Sequence, residues 1–487
     1  MEELTTEGRT LRLVTLLVIL SVFLLVPLRI IAYGYLPPDD VMRHTAFAIA
    51  DRQWGDVILL DPRFPSWMDL HPGWHAVLRS VHEIMQWDQG ALMSLSILLA
   101  FWTFTFAGTM ASGNPTAWLL ACGLMGVLEP AVFGKLLLGR PLSFSMSAIA
   151  VLLFVWTRRQ PLRLPAEIAC TCAVVLLSIS MHPASWYLWL VVVPAFVICR
   201  RWRTLGAFAA GWGLALGVTV VLNGWYRAIV LPVEILQLAL LQGGTLVVNL
   251  ATENQPTGGP IHGLLGMGLT MLAHKAAGRD LRGSLLAPDF ILVVITWILG
   301  LYVGRFFVEW GLPAMTVWYT RHIADGLESG VLERHLRHGS LILVLAASGV
   351  LYLGQTADLG GRYTGGLRNP LMTAPIAEII PDLPKPGGVL YAPDMGVFYS
   401  LFHRLPNAPI RYALAWEPGV MPADDLKTFR AIQTSGLVRD YAPWFTKMTP
   451  ADRVLVRNTT EPEWPGMAFS RFYGYWIGRK VTPEGAR

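Results

Sequence analysis

Two adjacent carboxylates, Asp39 and Asp40, follow Leu36-Pro-Pro at the end of a long apolar run. One acid at such a place reads as a helix cap, because Asp ahead of an amphipathic stretch satisfies the free N–H groups of a first turn. Two acids cannot easily share that task. The second, held beside the first, is expected to have a raised pKa, which suits a general base or a metal ligand. The helix expected from about Val41 to Trp54 then places Arg43 near His44 and Phe47, and its pattern predicts a position along the bilayer surface. Further on, Asp69-Leu-His-Pro-Gly-Trp-His puts His71 and His75 at i, i+4. With Pro72 in a first helical turn the two imidazoles face one way. Substrate hydrogen bonding, a divalent metal, and plain packing or capping all remain open for that pair, and Asp69 with Pro72 reads equally well as a helix start. A third stretch, Leu128-Glu-Pro-Ala-Val-Phe-Gly-Lys-Leu-Leu-Leu-Gly-Arg-Pro, carries Glu129, Lys135 and Arg140. An ammonium and a guanidinium there could hold a phosphate at headgroup depth, with Glu129 able to pair with either, or the cations could simply snorkel. His182 reads as an ordinary helix-end histidine.

These groups stand out because charge is scarce. The chain has 487 residues, of which 54% are hydrophobic and only 15% charged, with a mean hydropathy of +0.48. Soluble domains carry about a quarter charged residues, so lipid must be the solvent for much of this chain. Disorder, collagen and coiled coil are excluded by composition, and a disulfide scaffold by cysteine placement. Cys122, Cys170, Cys172 and Cys199 all lie inside apolar runs and read as small buried hydrophobes. The net charge of +5 comes from cations at the ends of apolar runs. That is topology information, not a nucleic-acid footprint.

Leu11–Ala32 is long enough to cross about 30 Å of hydrocarbon and is too long for a signal-peptide core. Further spans are expected at Ala91–Ala111, Thr116–Phe133, Leu142–Trp156, Ala166–Ser180, Trp186–Cys199, Leu205–Leu222, Phe290–Phe306 and Ser340–Leu353. Ile229–Leu250 and Ile261–Ala277, interrupted by Pro232, Gly243 and Gly244, read as re-entrant or interfacial helices as easily as spans. The fold class is therefore a polytopic α-helical membrane protein with about 9–11 transmembrane helices. Arg158, Arg159 and Arg163, then Arg200, Arg201 and Arg203, then Arg321, Arg334 and Arg337 all fall on the cytoplasmic side if the N-terminus does. The expected domains are 1–355 in the membrane, with outer loops 34–90 and 223–289, and 356–487 as a small outer α/β domain. In that tail Val389-Leu-Tyr-Ala and Arg453-Val-Leu-Val-Arg read as strands, and Asp424–Ser435 as a helix. Its aromatic residues Trp416, Trp444, Trp464 and Trp476 suit an interface or a lid.

This order of parts resembles the GT-C superfamily of integral-membrane glycosyltransferases. The resemblance lies in a cytoplasmic N-terminus, one span, a long outer loop with amphipathic helices, an acidic pair after span one, and an outer soluble domain closing the chain. It implies a polyprenyl-phosphate-type sugar donor and a glycan, lipid or protein acceptor. It also implies Asp40 or Asp39 as the base, and Arg43, Lys135 and Arg140 as donor-phosphate ligands. His44, Asp69, His71, His75 and Glu129 are left for substrate or for a divalent metal, which no residue pattern fixes as a cofactor. No WWD-type motif of the oligosaccharyltransferases occurs in the tail. Short loops and the lack of a retention signal fit a bacterial inner membrane with the C-terminal domain periplasmic.

Inverting transfer needs a base for the acceptor hydroxyl and a cation for the leaving phosphate. A polysaccharide polymerase working on lipid-linked sugars would share donor and compartment. A transporter would need mid-span charges and related halves; few such charges and no halves are found. A non-catalytic assembly partner, binding through its aromatic tail, is the remaining rival.

Overall fold

A computed structural model describes residues 6–34, 39–158, 160–243, 261–276, 278, 281–329 and 338–481. Leu36, Pro37, Pro38, Arg159, Gly244–Pro260, Ala277, Arg334 and Arg337 lie outside the described residues. The chain divides into two compact units. The first holds Met1–Tyr33, Ser94–Thr245 and Glu253–Asp358, and the second includes Gly34–Met93 and Leu359–Arg487. The segment after the first span thus clusters with the C-terminal tail.

Along the chain, helices α1 (Thr6–Ala32), α2 (Asp40–Ile49) and α3 (Pro72–Met85) come first. The membrane unit continues with α4 (Gln89–Ser112), α5 (Pro115–Leu128), α6 (Leu142–Trp156), α7 (Leu164–Met181), α8 (Trp189–Ile198) and α9 (Trp202–Trp225). It is completed by α10 (Leu231–Gly243), α11 (Ile261–Ala276), α12 (Pro288–Gly300), α13 (Leu312–Glu328) and α14 (Gly339–Thr356). Among the described residues, five helical segments are long and apolar enough to cross a membrane, and four more are apolar but shorter. On α1, Phe23, Val26 and Ile30 are buried, while Leu17, Leu24, Leu25 and Leu28 are exposed. An apolar face left outside is what a lipid solvent permits, since association in lipid rests on close packing rather than on hiding apolar surface. Close packing needs small residues. A Cβ on Gly211 of α9 would sit 2.8 Å from the Ile168 carbonyl oxygen and from Thr171 Cβ on α7.

Two expectations change. Pro232 does not break its helix: it occupies the first turn of α10, where proline is tolerated. Proline cannot donate to the Ala228 carbonyl one turn back, and the Trp186 indole donates there at 3.0 Å. A π-helical turn, Tyr226–Val230, joins α9 to α10. Arg321, expected in a cytoplasmic loop, lies instead within α13, whose residues Leu312–Thr320 are all buried. Nine buried residues, Thr316 and Thr320 among them, followed by Arg321, His322, Asp325 and Glu328 do not register as a span. The arginine donates to Asp289 of α12 at 2.7 Å.

The second unit is built on a five-stranded sheet, β1 (Val389–Tyr391), β2 (Arg411–Tyr412), β3 (Arg453–Val456), β4 (Met467–Phe472) and β5 (Tyr475–Lys480). Its spatial order is β2-β1-β3-β5-β4. The β1 pairs are parallel, with Leu390 opposite both Tyr412 and Arg453, and β3-β5-β4 are antiparallel. Strands β1 and β3 and helix α16 (Ala423–Ser435) fall where the sequence predicts them. The β4–β5 hairpin was not anticipated. Its two-residue turn, Tyr473-Gly474, has φ of 45° and 88°, the double left-handed geometry of a tight hairpin. Helix α15 (Met395–Arg404) is capped by Asp394, which accepts the Gly396 N–H at 2.8 Å.

The first-loop segment is stitched to this sheet by backbone. Ile58 bridges Tyr412 in parallel, the Leu59 N–H donates to Tyr412 O at 2.9 Å, and the Asp61 N–H donates to Val420 O at 2.8 Å. Leu59 also packs against the core of Val389, Tyr391, Phe429, Trp444 and Val454.

Candidate functional site

Helix α2 begins as its sequence requires. Asp39 is extended (φ −147°, ψ 178°) and caps the helix by accepting the Asp40 N–H. Asp40 is therefore relieved of capping. With α-helical periodicity Asp40, Arg43, His44 and Phe47 lie on one face. Arg43 Nε donates to Asp40 Oδ1 at 2.8 Å, and the Tyr399 hydroxyl of α15 donates to the same oxygen at 3.1 Å. The Asp40 side chain is 25% exposed and that of Arg43 only 5%, so the carboxylate is reachable while its cation is walled in. The wall is aromatic. The Arg43 guanidinium lies 4.7 Å from the Trp416 ring centroid, a cation–π contact strengthened by desolvation. Trp416 contacts Trp54 at 4.3 Å, and Trp54 stacks on Phe47 at 4.0 Å with 3° between planes. Among the described residues the terminal nitrogens of Arg43 have no hydrogen-bond partner.

One turn along, the histidines gather. His75 Nδ1 faces both oxygens of Asp69 at 2.9 Å, and His75 Nε2 lies 2.8 Å from His44 Nδ1. His71 occupies the cap position before α3; its N–H donates to Asp69 Oδ1 at 2.9 Å and its ring meets His44 edge-on at 4.6 Å. All three imidazoles are buried. Burial pushes the Asp69 carboxyl up, but the His75 imidazole, the His71 N–H and the Arg43 guanidinium outweigh it and hold the group below the usual carboxylate range. Arg79 of α3 donates to the carbonyls of Ala48 and Ala50, fixing the end of α2. Among the described residues no three His, Cys, Asp or Glu side chains converge as a metal-binding set. Both nitrogens of His75 are committed to side chains, so a metal could take one only by displacing Asp69 or His44.

Seven of the sequence-predicted residues, Asp39, Asp40, Arg43, His44, Asp69, His71 and His75, thus fall in one unit. Glu129, Lys135 and Arg140 belong to the membrane unit. Lys135 lies in the short helix Ala131–Leu136, and the Arg140 carbonyl accepts the Ser143 N–H at the start of α6. Glu129 is buried at the end of α5 and accepts the Gly263 N–H of α11 at 2.7 Å. His182 does more than end a helix: it meets Ser145 Oγ at 3.0 Å and Arg305 at 3.1 Å. Tyr399 was not anticipated. Trp416 was read only as interface or lid, whereas Trp444 is a core residue.

His403, one turn beyond Tyr399 on α15, yields a pH prediction. Burial, partly offset by the Met42 carbonyl and Asp88, lowers its pKa from 6.5 to about 4. A depressed folded-state value means stability that is complete above pH 6.5 and is lost as pH falls toward 4, because the unfolded chain takes the proton first. The expected slope is about 1.4 kcal/mol per pH unit within that window. Thermal unfolding in detergent across this range should show it, and His403→Gln should flatten it; an unchanged slope in the variant would assign the effect elsewhere.

No protein-family profile and no curated protein matches the sequence. The fold does have a counterpart. The crystal structure of ArnT from Cupriavidus metallidurans bound to undecaprenyl phosphate is similar over 96% of this chain and 98% of its own, with a TM-score of 0.52 and 13% sequence identity. At that identity the likeness is one of fold, and the fold is GT-C-like, with its small C-terminal sheet domain.

Proposed function

We propose that this chain is a membrane glycosyltransferase that moves a sugar from a polyprenyl-phosphate carrier to an acceptor at the outer face of the membrane. The observation that carries the reading is the pairing on α2: a reachable carboxylate, Asp40, beside a walled-in guanidinium, Arg43, with no partner on its terminal nitrogens. Its setting, a GT-C-like fold matched by a structure that holds undecaprenyl phosphate, supplies the donor class. Asp40 takes the proton of the acceptor hydroxyl as the new bond to the anomeric carbon forms. The bond from that carbon to the phosphate oxygen breaks, and Arg43 receives the charge left on the phosphate. Asp39 holds the helix start. Within the membrane unit, Lys135 and Arg140 carry the same assignment, an ammonium and a guanidinium for a lipid phosphate. The outer-face assignment rests on Arg158 and Arg163 and on Arg200, Arg201 and Arg203, which the positive-inside rule puts together on the cytoplasmic side.

The test is binding of undecaprenyl phosphate to purified protein, read by mass spectrometry of the intact complex. Wild type should retain the lipid, and Arg43→Ala should bind it more weakly by about 1.5–3 kcal/mol, the range of a hydrogen bond to a charged group, or roughly tenfold and more. Equal binding by both would remove Arg43 from the site. Absence of binding by wild type would count against the donor class.

A further inference from the structure

Beyond the last candidate span the sequence reads Leu359-Gly-Gly-Arg-Tyr-Thr-Gly-Gly-Leu-Arg. Two tethers hold this stretch near the ends of apolar helices. Leu359 comes three residues after Thr356, where α14 ends, and so lies within about 11 Å of that end. At the far end of the stretch, a Cβ on Gly34 would sit 3.8 Å from Leu367 Cδ1. Gly34 itself comes two residues after Ala32 closes α1. Both α1 and α14 are candidate spans, and they pack against each other. Between the tethers the chain is tightly wound. Leu359–Gly361 and Gly365–Arg368 are 3₁₀ turns, and Gly360 and Gly361 take φ of 68° and 74°, a conformation that glycine adopts without steric cost.

The side chains divide between inside and outside. Tyr363 is buried at 1% exposure, whereas Leu359 is 82% exposed and Arg362 and Arg368 are exposed as well. Just past Arg368 the chain is fastened to α15. Asn369 Nδ2 donates to Ser400 Oγ at 3.2 Å, and Arg404 donates to the carbonyls of Leu371 and Ala374 at 2.7 and 2.6 Å. Ser400 follows Tyr399, whose hydroxyl reaches Asp40.

We propose that residues 359–368 lie in the headgroup layer of the bilayer, with Leu359 at the acyl boundary and Arg362 and Arg368 on phospholipid phosphates. Bare leucine between arginines, where chain emerges from two packed spans, is the composition of a lipid interface. A guanidinium fork matches two phosphate oxygens at once. Through Asn369 and Arg404 the same contact fixes the level of α15 against the lipid. Only the bearing of that level on sugar transfer rests on reading Asp40 as the base.

The test is hydrogen–deuterium exchange of the full chain in nanodiscs of phosphatidylcholine, with and without phosphatidylglycerol. Anionic lipid should slow exchange in residues 359–368 by roughly fivefold to thirtyfold, the effect of one to two arginines near an anionic surface. Exchange in the β4–β5 hairpin should not change. The double variant Arg362→Gln/Arg368→Gln should lose the difference between the two lipids. Equal exchange of the wild-type stretch in both lipids, slowing spread equally over the hairpin, or slowing kept by the double variant overturns the proposal. If the double variant does not fold, salt decides: at about 1 M the Debye length is about 3 Å, and the wild-type difference must vanish. A difference that survives such salt also overturns it. Neither donor nor acceptor is needed. Should Asp40→Asn keep full transfer while the lipid effect is present, the transferase reading fails and the lipid contact stands.

Discussion

Asp40→Asn is expected to lower sugar transfer by about 10²–10⁴-fold, the usual contribution of a positioned general base. Asparagine keeps the size of the side chain, and its carbonyl oxygen can still accept from Arg43 Nε and the Tyr399 hydroxyl. It cannot take a proton. Asp39→Asn is the matched comparison. Asparagine caps a helix about as well as aspartate, so transfer should change little and α2 should still start at residue 40. Transfer can be followed as release of free lipid phosphate from a labelled lipid-linked sugar pool in host membranes. Thermal unfolding checks that each variant is folded, which matters because Asp40→Asn leaves the Arg43 guanidinium without its counter-charge. Full transfer in Asp40→Asn would sink the assignment of the base. An equal loss in both variants would point to damage at the helix start rather than to chemistry.

The contrast between the two acids shows how much of the site could be read early. That two carboxylates cannot both cap one helix is visible in the residues, and the structure divides the tasks accordingly. Arg43 was legible too, as a cation on the same short helix. Tyr399 was not, because it reaches Asp40 across 359 residues of chain. No local pattern marks one tyrosine of the tail over another. The HxxxH spacing suggested imidazoles acting together, yet the partner that His75 finds is His44, on a different helix, and not His71 four residues back. Periodicity tells which residues share a face, not what the face meets.

The membrane unit was legible in a complementary way. Hydropathy located the apolar helix Leu142–Trp156 to the residue and placed most other apolar helices within a few positions. It failed at α13, because a helix packed inside a bundle need not be apolar along its whole length. The charge that hid this helix from a hydropathy reading is one that holds it in place.

Arg321→Ala tests that claim. Asp289 is wholly buried, and it accepts hydrogen bonds from Arg321 Nη1 at 2.7 Å and from the Phe290 N–H at 3.1 Å. Removing the arginine leaves a buried carboxylate with one backbone donor, and breaking a buried pair from one side costs about 3–5 kcal/mol. A surface ion pair would cost about 1 kcal/mol or less. The Arg321 side chain is 39% exposed, but the buried carboxylate sets the penalty. Adding Asp289→Asn to Arg321→Ala should recover most of the loss, since a neutral amide can keep the Phe290 contact without an uncompensated charge. Thermal unfolding of the two single variants and the double variant in one detergent closes the cycle. A strong non-additive term makes Arg321 a structural clamp between α12 and α13. If the two losses merely add, the pair contributes little and Arg321 returns to being an orientation signal alone.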